Sequence, residues 1–232
     1  MRTFYFSLFF VVAFASRALS QTADDIVSKY ISALGGPAKL SALTSVIKEG
    51  AMSIQGADVS IRQTVVQDKG MRLDISVMGT ENYQVINTSK GSVFMPVQGM
   101  TVPQPMDSSQ FAVSKFNLDI QGLLFNYGKK GYSVVLKGKE KVGNQDAWHL
   151  TLRTKDGREM EYFIDTDKYL VVKTSIKMAA NGTTVNMETV FSNYKQNADG
   201  YLFAYTVVNK PGEINYTDIK TNKDVDLAIF HD

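Results

Sequence analysis

Apolar and polar residues alternate with a period of two along most of this chain, and the stretch from Arg158 to Met178 shows the pattern most clearly. Met160, Tyr162 and Ile164 fall on one face of a run whose other face carries Glu159, Glu161 and Asp165. Leu170, Val172, Ile176 and Met178 then alternate with Lys173, Ser175 and Lys177, and Asp165-Thr166-Asp167-Lys168 between the two runs has turn chemistry. The pattern is that of a β-hairpin. Similar runs are expected at 45–54, 58–68, 71–78, 82–89 and 92–97, and again at 132–142, 146–154, 158–165, 169–178, 184–195, 201–210 and 213–221. The separators are short and mostly carry Gly, Asn or Asp, including Asn181-Gly182 and Pro211-Gly212. Neighbours joined so tightly must be antiparallel, because a parallel crossover needs a dozen or more residues.

Two segments break the alternation. Asp24 and Asp25 precede Ile26, Val27, Tyr30, Ile31 and Leu34, a helical spacing closed by Gly35-Gly36-Pro37, and Lys39 to Leu43 can add a further turn. Such a helix needs a surface for its apolar stripe, most simply one face of the sheet that follows. In the second break, residues 98–130, Pro103 and Pro105 bar a central strand. Asp107-Ser108-Ser109 then reads as a helix N-cap ahead of Phe111, Val113, Phe116, Leu118, Ile120, Leu123, Leu124 and Phe125. The fold class expected is mainly β (α+β): a large antiparallel sheet with helices at the N-terminus and in mid-chain. The many strands must close or fold over to hide their edges.

Composition narrows the setting. Arg2 followed by an apolar run from Phe4 to Ala15, with Ala18-Leu19-Ser20 after it, reads as a secretory signal peptide over residues 1–20, cleaved near Ser20/Gln21. The run is short of the ~20 apolar residues that span a bilayer. A single domain, 21–232, remains, periplasmic or secreted and soluble. Losing Arg2 and Arg17 takes the 25 basic residues to 23, balancing the 23 acidic ones. A chain without net charge or a basic cluster is not built for nucleic acid or for a polybasic membrane contact. With Cys 0 there is no disulfide and no acylated N-terminal cysteine.

Reactive chemistry is thinly represented. His149, in Trp148-His149-Leu150-Thr151-Leu152, is expected to face solvent opposite Trp148, Leu150 and Leu152, and His231 is penultimate. No G-x-S-x-G, spaced histidine pair or calcium-loop pattern accompanies them, so no metal or cofactor is expected. Glu159 and Glu161 share a strand face and read as solvated carboxylates. A hydrolase acting through His149 is the outlying alternative.

The informative surplus is apolar. Tyr201, Phe203, Tyr205 and Val207 alternate with Leu202, Ala204 and Val208 rather than with charges, so both faces there need cover. With Phe111, Phe116, Leu123, Leu124, Phe125 and 10 methionines, the initiator among them, the chain can line an adaptable hollow. The same residues would equally build a filled two-layer core.

An N-terminal helix ending Ala33-Leu34-Gly35-Gly36, a run of strands, a helical interruption and a second run containing Glu161-Tyr162-Phe163-Ile164-Asp165 resemble the LolA/LppX-type lipoprotein-carrier superfamily. The closing Asp224-Val225-Asp226-Leu227-Ala228-Ile229-Phe230 is similar to the ending of many such proteins. The resemblance implies a strongly curved, unclosed half-barrel of about 11 or 12 strands with the helices on its concave face. It also implies a monomeric, non-enzymatic periplasmic carrier or sensor that holds a lipid or lipoprotein acyl chain, with an envelope protein as a further partner. On that expectation Ile61, Leu73, Ile75, Val85, Met160, Tyr162, Ile164, Leu170 and Val172 line the concave face, and Phe111, Phe116, Leu124 and Phe125 form the helical plug. The alternative from another class is a structural or partner-binding envelope module with a filled core and no ligand.

Overall fold

In the computed structural model the first element is the helix α1 (Ala23–Ala33), and its start is fixed by a capping box. The Asp25 amide donates to Thr22 Oγ1 at 3.2 Å while the Thr22 amide donates to the Asp25 carboxylate at 3.1 Å, so two otherwise orphaned donors are satisfied. Those bonds also hold the Asp25 carboxyl below its ordinary pKa. Gly35 and Gly36 both have positive φ, 107° and 89°, which ends α1 and lets Pro37 open the short α2 (Pro37–Ser41). The structure describes residues 21–54, 56–180, 183–210 and 212–231. The expected signal segment and the expected turn residues Gln55, Asn181, Gly182 and Pro211 lie outside them.

Six strands follow: β1 (Ser45–Ile54), β2 (Ala57–Val66), β3 (Gly70–Val77), β4 (Thr80–Asn87), β5 (Gly91–Phe94) and the two-residue β6 (Gln104–Pro105). After the helix α3 (Ser108–Ser114), capped by Asp107, and a 3₁₀ turn over Lys115–Leu118, seven more complete the chain. They are β7 (Ser133–Val142), β8 (Gln145–Arg153), β9 (Glu159–Asp165), β10 (Val171–Ala180), β11 (Thr183–Gln196), β12 (Leu202–Val208) and β13 (Glu213–Thr221). All 13 belong to one antiparallel sheet in the order β6-β5-β4-β3-β2-β1-β13-β12-β11-β10-β9-β8-β7. Two meanders are thus sewn together at mid-sheet by β1 and β13, from Val46 opposite Thr221 to Met52 opposite Ile214.

The sheet is an unclosed half-barrel. Its strand beyond the expected number, β6, lies at an edge, where Pro105 forfeits no ladder bond. The helices lie on the concave face, with Ile26, Val27 and Ile31 of α1 packed on Leu150, Leu152, Ile164 and Val171. The convex face is covered locally by the C-terminal 3₁₀ turn Leu227–Phe230. There Asn87 Nδ2 donates to the Phe230 carbonyl at 3.1 Å, and the Phe230 ring occupies the space a side chain at Gly70 would need.

Pleating and bulges correct two expected faces. Gln84 of β4 looks into the concave side, so Val85 beside it points outward, where it is nonetheless buried. In β10, Val171 pairs with Ile164 and Lys173 with Phe163, leaving Val172 as an extra residue. This bulge puts Val171 inside and sends Val172 out to pack with Ala147 and Phe163.

Candidate functional site

Between the middle of the sheet and the short helices lies a cavity of about 770 Å³, within the range of pockets that hold small ligands. Its floor comes from both meanders: Val46 and Lys48 of β1, Gln63 and Val65 of β2, Met71 and Leu73 of β3, Ile176 of β10, Phe191 of β11, Phe203 of β12 and Tyr216 of β13. Its roof is Tyr30 of α1 and Leu34 just beyond it, Leu40 of α2, Val113 of α3, Phe116 and the segment 119–123.

That roof is fastened by polar bonds as well as by the packing of Leu118, Ile120 and Leu123. Gln67 Oε1 accepts from the Ile120 amide at 2.8 Å, and the Asp68 amide donates to the Leu118 carbonyl at 3.1 Å. The Lys130 ammonium pairs with the Asp119 carboxylate and donates to the Gly122 carbonyl at 2.9 Å. Tyr194, at the opposite wall, donates its hydroxyl to the Val171 carbonyl at 2.7 Å. Burial pushes the Tyr194 and Tyr162 hydroxyls well above the ordinary tyrosine pKa, so both stay neutral donors.

Of the predicted lining, the structure brings Leu73, Phe116, Met160 and Tyr162 to the cavity wall. Ile61 and Ile75 share the concave face but pack with Met52 and Val59 toward the far end of the first meander. Ile164, Leu124 and Phe125 belong to the filled core under α1, where Leu124 and Phe125 also border a shallow cleft beside that helix. Phe111 packs against Ile86 and Met106 near the β5 edge. Leu170 is buried in the turn ahead of β10. Val85 and Val172 face outward, as described above.

Sequence reasoning missed the polar members, among them Lys48, Gln63, Gln84, Asp119, Thr174 and Thr189. The signal was present for Lys48, which alternates in phase with Val46 and Met52, but a strand lysine is read by habit as solvent-facing. Among the described residues, Lys48 and Asp119 are the only charged ones that line the cavity.

His149 lies on the other side of the sheet. Its ring is not the free, solvent-facing group expected. Nδ1 is 2.7 Å from Glu140 Oε1, Nε2 is 2.7 Å from Glu161 Oε2, and the ring stacks on Phe163 at 4.5 Å with 17% of the side chain exposed. Cross-strand pairing accounts for it, since β7 and β9 flank β8 and bring both carboxylates to its side chain. Thr151 donates its hydroxyl to the same Glu161 oxygen at 2.7 Å. Among the described residues no group of three His, Cys, Asp or Glu converges as a metal site would require. Nor is any described helix long and apolar enough to cross a membrane.

No family model matches the chain. A ribonuclease Z from Saccharolobus islandicus is 31% identical over 81 residues, but these are 34% of this chain and 26% of that protein, so the chain spans about a quarter of its length. Solved structures match far more completely. A domain from Vibrio parahaemolyticus described as outer membrane lipoprotein-sorting superposes with a TM-score of 0.53 at 18% identity, over 89% of this chain and 95% of that one. A LolA superfamily protein from Nitrosomonas europaea gives 0.53 at 16% identity, over 92% and 99%. A DUF1329 family protein from Desulfovibrio piger gives 0.54 at 16% identity, over 89% and 97%. At these identities the likeness is one of fold, and it extends over nearly all of both chains. The architecture shared with these structures is an unclosed antiparallel sheet curled around short helices.

Proposed function

We propose that the protein is a non-enzymatic carrier or sensor of the bacterial envelope that holds a lipid or lipoprotein acyl chain in the cavity. The observation that carries this reading is the cavity itself, about 770 Å³ of mainly apolar, partly open space under a roof of short elements. A wall of Leu73, Met71, Ile176, Phe191 and Phe203 suits hydrocarbon, since each methylene moved from water into such a place contributes about 0.8 kcal/mol. The lipoprotein-sorting description attached to the Vibrio parahaemolyticus relative supports the same class of cargo. The signal-peptide pattern read in residues 1–20 is in keeping with export and an envelope location.

The test is a thermal melt with and without long-chain fatty ligand, beside mass spectrometry of small molecules extracted from the protein purified without detergent. A ligand that binds only the native state adds roughly 2.7 kcal/mol at a hundredfold excess over its dissociation constant, enough to move the melt by several degrees. No extractable lipid, no shift and no saturable binding would leave the filled, ligand-free envelope module as the reading.

A further inference from the structure

The cavity carries one uncompensated charge, and it sits in the central seam of the sheet. Lys48 points into the concave side from β1, between Gln63 of β2 and Ile219 of β13. Its ammonium lies 5.3 Å from the centre of the Tyr216 ring and 5.7 Å from that of Phe203, a cation between two aromatic faces. Asp119, the other charged lining residue, is already satisfied by Lys130. No carboxylate among the described residues forms an ion pair with Lys48. Its strand neighbour Glu49 pairs instead with Arg62 at 2.7 Å, on the opposite face of the sheet. Desolvation alone draws the Lys48 pKa down to about 8, so the ammonium is the majority form at neutral pH.

Holding a cation without a partner in an apolar hollow is costly, and a chain gains nothing for its fold by keeping one there. A methionine or leucine would pack against Tyr216 and Phe203 at no such cost. Aromatic walls lessen the penalty without supplying a counter-charge. The missing partner is an anion, and the hollow around it accepts hydrocarbon.

We propose that Lys48 is the headgroup anchor of the cavity: the cargo is an amphiphile with an anionic head, a carboxylate or a phosphate ester, seated against the Lys48 ammonium between Tyr216 and Phe203 with its hydrocarbon along the apolar lining. This rests on the carrier reading and adds to it the chemistry of the head and the residue that selects it. The anchor supplies charge recognition only; no bond is made or broken.

The experiment compares ligands of equal chain length by displacement of a fluorescent fatty probe: palmitate and hexadecyl phosphate as anions, hexadecanol as the neutral counterpart, and acetate and inorganic phosphate as heads without tails. The native protein should bind both anionic amphiphiles at least tenfold more tightly than hexadecanol, and the tailless anions should displace nothing at millimolar concentration. Lys48→Met should erase the preference by weakening the anions about tenfold while hexadecanol is held as before. Lys48→Arg should keep most of the preference, and melting curves of both variants confirm that they are folded. If hexadecanol binds the native protein as tightly as palmitate does, or if Lys48→Met retains the preference, the anchor is refuted while the lipid cavity stands. If no amphiphile binds at all, the carrier reading falls and the anchor with it. Displacement by phosphate or acetate alone would mark Lys48 as a site for free anions and overturn the amphiphile.

Discussion

One concave face is treated in two ways. Toward the β7 end, α1 lays Ile26, Val27 and Ile31 directly on Leu150, Leu152 and Ile164, and the contact is filled with branched aliphatic side chains. Toward the middle, the same sheet meets α3, a 3₁₀ turn and an irregular loop, and a cavity opens. The difference lies in both partners. An amphipathic helix of 11 residues presents a continuous stripe that a pleated face can match, whereas short helices and turns spend their backbone groups on side-chain anchors such as Gln67 and Lys130 and leave gaps. The strands change too: under α1 they offer Leu and Ile, and in the middle they interleave Gln63, Gln84, Thr174 and Thr189 with Leu73 and Phe191. Polar groups of that kind want water or ligand beside them, not a close-packed hydrocarbon lid.

The comparison is broken most forcefully by removing side-chain volume from each region. Ile164→Ala in the filled end, where the side chain is 0% exposed, should cost about 2 to 5 kcal/mol in urea unfolding. Leu73→Ala on the cavity wall should cost about 1 kcal/mol, because space already adjoins it and little packing is lost. Equal losses would mean that the two regions are packed alike. Adding volume sharpens the same contrast. Ile164→Trp should destabilise by about 1 to 3 kcal/mol through overpacking, while Leu73→Trp should be tolerated and instead abolish any ligand-induced rise in melting temperature.

A smaller effect concerns the helix that makes the filled end possible. Thr22→Ala removes the side-chain half of the capping box and should lower stability by about 1 kcal/mol, read as a shift in the denaturant midpoint. Thr22→Asn or Thr22→Ser should restore most of it. Ligand affinity should change little, since neither Thr22 nor the cap touches the cavity.

The fold was legible because its two signals are local. Strand alternation and Gly, Asn and Asp turns fix a meander without knowledge of its partners, and Asp24, Asp25, Gly35 and Pro37 bracket α1 unaided, although the Thr22 cap itself went unread. The faces were less legible wherever one residue interrupts the count. The bulge at Val172 exchanges its place with that of Val171, and nothing in Leu170-Val171-Val172-Lys173 announces it, because three consecutive apolar residues fit either phase. Val85 was expected on the inner face because the C-terminal turn that covers part of the outer one comes from far along the chain, with Phe230 set against Gly70. Which part of the concave face stays open was not legible at all, since it depends on how the 98–130 segment crosses the sheet. The roles of Leu124 and Phe125 followed that path: apolar as expected, yet used to fill one end and not to plug the hollow.

The finest contrast between the regions is electrostatic and is read by pH. The filled cluster contains no lysine, while the cavity holds Lys48, whose pKa is drawn to about 8 from the ordinary 10.5 by burial. Between those values the unfolded chain binds more protons than the native one, so the stability of ligand-free protein should rise with pH from about 8 toward 10. The groups facing Lys48 are Gln63 on β2, Ile219 and Tyr216 on β13 and Phe203 on β12; of these only Tyr216 titrates. Asp119 stays paired with Lys130. Tyr216 and Tyr30 are pushed up to about 12 by burial. Above pH 10 unfolded tyrosines therefore ionise first, the native state binds the more protons, and stability falls again. The gain between 8 and 10 should be about 1 kcal/mol or less, because the partly exposed ammonium keeps some of its hydration. Lys48→Met should flatten this rise and leave the fall above pH 10 in place. Palmitate should reverse it, since an anion bound to the ammonium raises the Lys48 pKa and is released as the pH passes through that value. A native protein whose ligand-free stability is level from pH 8 to 10, with palmitate affinity unchanged across the same range, would place the Lys48 ammonium in bulk water and make the cavity as neutral as the core beside it.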